Sequence, residues 1–176
     1  FFYNPSDVAI DSSGNIYVVD LYNYRIQKFN SNGTFITKWG SAGGGDGQFN
    51  YPRSVAVDAS NNIYVVESEG NGVQKLDANG TFLAKWGSRG FGQGYFNTPW
   101  GVTVDNNNQV YVADFSNSRI QQFNSSGTYL TEWGSSGSNP GFLSSPRSMA
   151  VDAAGDVYVA DGGNNRIQKY VQFGPV

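Results

Sequence analysis

The chain has 176 residues, 15% of them aromatic, with 23 glycines and a formal net charge of −3. It contains neither Cys nor His, which removes disulfides, thiolate nucleophiles, imidazole bases and the commonest transition-metal ligands. The acidic balance disfavours a nucleic-acid partner held by phosphate neutralisation, and no segment is apolar enough to span a membrane.

Taken in chain order, the first elements are short and β-like. SDVAID (6–11) alternates apolar and polar residues and stops at the turn SSGN. NIYVVD (15–20) runs to the loop LYNY, RIQKFN (25–30) meets the turn SNG, and TFITKWG (34–40) leads into the glycine-rich SAGGGDGQ. Strands this short, joined by short turns, predict an antiparallel meander. The pattern then recurs. Pro5, Pro52, Pro99 and Pro146 stand 47 residues apart, and so do Asp11, Asp58, Asp105 and Asp152. Trp39, Trp86 and Trp133 keep the same period, as do Phe2, Phe49, Phe96 and Leu143. One such sheet cannot bury both of its faces, so successive sheets must stack around an axis. The expected fold is an all-β β-propeller of four-stranded antiparallel blades, in one domain over 1–176. The blades fall at about 1–48, 49–95, 96–142 and 143–176. Gly174 aligns with Gly33, so the fourth repeat is expected to lack its outer strand.

The residues of this pattern, P-x-x-V-A-V-D, G-N-I-Y-V-x-D, N-x-R-I-Q-K-F and G-T-F-x-x-x-W-G, closely resemble the NHL-repeat family over essentially the whole chain. The resemblance implies a propeller of about six blades, and so a chain that is part of one, closes with four, or is completed by another copy. Some NHL-like propellers are lyases that depend on histidine, a role no position here can inherit. Others bind RNA through a basic face. Arg53, Arg89 and Arg147 would begin such a face, but Glu67, Glu69 and Asp46 oppose it.

Positions repeated in every blade serve blade construction, whereas positions that differ are free for function. Asp20 with Arg25, Asp114 with Arg119, and Asp161 with Arg166 bracket the loop between second and third strands, and read as structural ion pairs. The second repeat breaks the rule, with Glu67 and Gly72 in their place. A relaxed structural pair is the expected reading there. Glu67 and Glu69 are also kept as binding-face residues, since two carboxylates on a loop can meet a cation or ligand. The recurring tryptophans are expected to pack between blades.

The loops between second and third strands, LYNY, SEGN, FSNS and GGNN, share one end of the blades with the inter-blade connectors. Tyr22, Tyr24, Arg53, Trp100, Phe115 and Arg147 are therefore expected around one rim, and Tyr, Trp and Arg are favoured at binding hot spots. The glycine clusters lack the Gly-Lys-Ser/Thr ending and the following helix of a phosphate loop, so they read as turns. Asn32, Asn79 and Asn124 open N-x-[ST] sequons and are candidate glycosylation sites, although Asn-Gly is also tight-turn chemistry. No residue set for a metal, a cofactor or catalysis emerges.

The expectation is a non-enzymatic extracellular or cell-surface scaffold that binds a protein or glycan, or self-associates into a surface assembly. The alternatives are a histidine-free propeller lyase or hydrolase, and an RNA-binding module. The chain opens at Phe1 without a signal-like segment and reads as processed or excised.

Overall fold

The computed structural model of the protein describes residues 1–171. The first blade comprises β1 (Pro5–Ile10), β2 (Ile16–Asp20), β3 (Arg25–Phe29) and β4 (Phe35–Trp39). The second comprises β5 (Pro52–Val57), β6 (Ile63–Glu67), β7 (Gly72–Leu76) and β8 (Phe82–Trp86). The third comprises β9 (Gly101–Val104), β10 (Val110–Asp114), β11 (Arg119–Phe123) and β12 (Tyr129–Trp133). The fourth contains β13 (Pro146–Val151), β14 (Val157–Asp161) and β15 (Arg166–Tyr170), and is three-stranded among the described residues. Gly174, on which the expectation of a missing outer strand rested, lies outside them. Within every sheet the strands follow chain order and pair antiparallel.

The turns explain why the repeated Asp recurs. Asp11 Oδ1 accepts from the Ser13 and Asn15 amides, and its Oδ2 accepts from the Asn15 side chain and the Tyr17 hydroxyl. Asp58 repeats this with Ser60, Asn62 and Tyr64. One carboxylate thus closes the turn and fixes the tyrosine of the next strand, which leaves it a structural group rather than an ion ligand. Burial pushes the Tyr17 and Tyr64 hydroxyls well above the usual phenol range, and the neighbouring Asp adds to the effect.

Three apolar clusters hold the blades together, one per interface. Tyr17, Val19 and Ile26 of the first blade meet Phe49, Val55, Ile63 and Val65 of the second, with Trp39 packed against them. Trp86 and Trp133 occupy the same place at the next two interfaces, as expected for inter-blade packing. The inner strands pack in sequence, β1 on β5, β5 on β9 and β9 on β13, around a channel lined by all four. Among the described residues no such cluster joins the fourth blade to the first. Val8 and Ile10 on the outer face of the first blade are 56% and 65% exposed, and Ile167 on that of the fourth is 66% exposed. The four blades form an arc.

Candidate functional site

Pro5 pairs with Asp20, Pro52 with Glu67, and Pro146 with Asp161. This register puts the starts of the inner strands beside the loops between second and third strands, at one end of the arc. The Asp–Arg pairs stiffen that end. Asp20 accepts from Arg25 Nε at 2.7 Å, from the Gln27 and Asn23 amides, and from the Tyr3 backbone N–H. Arg25 in turn donates to the Phe1 carbonyl. Arg119 goes further: its Nε meets Asp114 at 2.8 Å, Nη1 meets Glu132, and Nη2 donates to the Gly92 and Tyr95 carbonyls. Arg166 ties Asp161 to the Ser138, Asn139 and Phe142 carbonyls. Each pair fastens the incoming connector to its own blade. Burial acts to raise the Asp20 and Asp161 carboxyls, yet the donated hydrogen bonds outweigh it and hold both below the usual range.

Glu67 answers the broken rule in the second blade. It is fully buried, accepts from the Asn50 N–H at 2.7 Å and the Gln74 amide at 2.8 Å, and lies 3.4 Å from Lys85 Nζ. The outer strand therefore supplies the cation that Gly72 cannot. Glu132 occupies the repeat position equivalent to Lys85, in the blade that keeps its Arg, and meets Arg119 Nη1 at 2.8 Å. Glu67 is thus engaged within its own blade, as a relaxed structural pair would be. Glu69 is exposed, and its carbonyl accepts from Asn71.

The rim residues fall into two groups. In the first, Arg53 and Arg147 lie over the Trp100 ring, their guanidinium carbons 4.6 and 5.1 Å from its centroid. Trp100 also stacks on Phe115 at 4.4 Å and 15°, and its backbone N–H donates to the Ala113 carbonyl. Two glycines make this approach feasible. A Cβ on Gly101 would lie 2.5 Å from the Arg147 carbonyl, and one on Gly162 would lie 3.0 Å from Arg147 Nε. The three side chains border a pocket of about 200 Å³ at the channel mouth, lined also by Ser6, Asp7, Ser54 and Ser148. Asp7 accepts from the Ser54 hydroxyl and the Val55 N–H, and Ser54 Oγ accepts from the Val102 N–H. This relay joins the first three inner strands beneath the rim.

In the second group Tyr22 contacts Tyr3 and Tyr51, and Tyr51 also meets Tyr24, with centroids 5.0 to 6.2 Å apart. Tyr3 and Tyr51 were not expected here. Their place beside the inner-strand prolines was the available signal. Thr98, which precedes Pro99, holds a left-handed φ of 51° and donates its N–H to Asn71 Oδ1.

Asn32 and Asn79 are exposed at the opposite end of the blades. Asn124 is half-buried there, and its Oδ1 accepts from the Ser126 and Thr128 N–H groups, so this side chain caps its own turn. Among the described residues, no three of His, Cys, Asp and Glu gather as a metal site, and no helix is long and apolar enough to cross a membrane.

Blade order, the inter-blade clusters and the loop-end pocket define a repeat protein of the β-propeller class. A family model for the NHL repeat matches residues 2–29, 49–76, 96–123 and 143–170, together more than half of the chain. The chain belongs to the NHL-repeat family. No curated protein matches it. Among solved structures it is similar to a streptogramin B lyase, at 15% identity and a TM-score of 0.71 over 96% of this chain and 54% of that one. A virginiamycin B lyase from Staphylococcus aureus is similar at 17% identity and a TM-score of 0.68, over 97% of this chain and 56% of the other. A protein of unknown function from Bacteroides thetaiotaomicron VPI-5482 reaches a TM-score of 0.76 at 19% identity, over 95% and 47%. These likenesses concern the fold, and the chain spans about half the length of the proteins it resembles.

Proposed function

We propose that the chain is a non-enzymatic binding and scaffolding module of the extracellular or cell-surface space, which holds a protein or glycan at the loop end of its blades. The observation that carries this reading is the pocket formed by Arg53, Trp100 and Arg147, three variable residues brought from three blades to one channel mouth. Large aromatic and guanidinium groups on a rigid scaffold bind well because little side-chain freedom remains to be lost. The buried carboxylates of this end, Asp20, Glu67, Asp114 and Asp161, are each occupied by several donors within their own blade. That occupation favours construction over acid–base work. An immobilised panel of neutral and acidic glycans and peptides, probed with the wild-type chain and with Trp100→Ala, tests the reading. A captured panel member that Trp100→Ala releases is the expected result. Conversion of a panel member to product, or capture that ignores the substitution, would count against it.

A second reading, blade-to-blade assembly, is favoured by the exposed outer faces. Val8 and Phe2 are 56% and 43% exposed, whereas Val55 and Phe49 at the same repeat positions are buried against the preceding blade. The complementary kind of face, on the fourth blade, presents Ala150, Tyr158, Ala160 and Ile167.

A further inference from the structure

We infer that the channel-mouth pocket is an oxyanion site, in which Arg53 and Arg147 grip a carboxylate, sulfate or phosphate group of the ligand. This rests on the loop-end binding reading and adds the chemical class of the group that is held. The two guanidinium groups differ from the three arginines that follow the loops between second and third strands. Arg25, Arg119 and Arg166 each meet an Asp at 2.7 to 2.8 Å and have further protein acceptors. Among the described residues neither Arg53 nor Arg147 has an ion pair, and Arg53 Nε is buried without a hydrogen-bond partner. Both instead converge on one indole, and like charges brought together in this way favour an anion between them.

The remaining groups fit the same conclusion. Asp7 is the carboxylate that lines the pocket, and it is engaged by the Ser54 hydroxyl and by the Val55 and Val8 N–H groups rather than by either arginine. Two guanidinium charges against one carboxylate leave the pocket positive. Trp100 already stacks on Phe115 and carries both cations, so it serves as their seat and not as a platform for a sugar ring. A volume of about 200 Å³ is below the range of about 300–1,000 Å³ that encloses drug-sized ligands, so the pocket takes an anionic group and not a whole ligand. Gly162 leaves space for the Arg147 side chain, and Gly101 lets the Arg147 backbone come close to β9.

Isothermal titration of the intact chain with glucuronate, glutarate, sulfate and phosphate, with glucose as the uncharged control, tests the assignment. Saturable binding of at least one oxyanion and none of glucose is expected, weakening as sodium chloride is raised. Arg53→Gln and Arg147→Gln should each weaken it by ~10-fold or more, Arg147→Lys by less, and Arg89→Gln hardly at all. Arg147 is exposed, so its substitution leaves the test open even if Arg53→Gln disturbs folding, which thermal melting will show. The relative affinities of the four anions identify the source of the group. No saturable binding of any anion at millimolar concentration, or binding that survives the double Arg53→Gln/Arg147→Gln change, would overturn the assignment. Capture of a neutral panel member that is lost in Trp100→Ala but unchanged in the arginine variants would overturn it too, while leaving loop-end binding intact.

Discussion

Arg119 shows what the repeated Asp–Arg pair contributes when it is fully enclosed. Its guanidinium meets Asp114, Glu132 and two connector carbonyls, and its side chain is 9% exposed. Removing it leaves Asp114 buried without its cation, and breaking a buried pair in this way costs about 3–5 kcal/mol. Lys85 is different: it lies 3.4 Å from Glu67 and is 26% exposed, while Glu67 keeps the Asn50 and Gln74 donors. Urea denaturation should therefore show a loss of about 3 kcal/mol or more for Arg119→Ala and under about 1 kcal/mol for Lys85→Met. Equal losses would mean that the second blade depends on its lysine as the third depends on its arginine. At this scale the Asp–Arg pairs were legible because the repeat displays both partners five residues apart. Lys85 was not, because strand order alone does not tell which outer-strand side chain folds over a buried acid.

At the scale of the strand, one repeat position can be core in one blade and surface in another. Ile26, Val73 and Ile120 are fully buried beneath a following blade, while Ile167, at the same position in β15, is 66% exposed. Truncating a buried Ile removes transfer energy and leaves a cavity, at a cost of about 2–5 kcal/mol. Ile120→Ala should fall in that range, whereas Ile167→Ala should change stability by less than about 1 kcal/mol in the isolated chain. Comparable losses would show that the fourth blade is covered in solution. The strands, their register and the inter-blade tryptophans could all be read from alternation and the 47-residue period. The meeting of Arg53, Trp100 and Arg147 was legible only as shared residence on a rim. Their stacking depends on the close approach allowed by Gly101 and Gly162, and Gly162 belongs to a loop with no pattern of its own.

The whole molecule carries two open apolar faces of the kinds that pair at every internal interface. Sedimentation equilibrium should show an average mass that rises with concentration, and Val8→Lys or Ile167→Lys should shift the chain toward the monomer. A monomer at every concentration would argue against assembly through these faces.

The two ends of the blades differ in build, with short turns at one end and, at the other, the variable loops where the proposed function places recognition. Mapping backbone amide chemical shifts as the captured panel member is titrated into the labelled chain tests this most directly. Perturbations should gather around Ser6, Arg53, Trp100, Phe115 and Arg147, with the tyrosines of the first blade at their margin. Perturbations centred on the Asp11, Asp58, Asp105 and Asp152 turns would place binding at the wrong end and contradict the account.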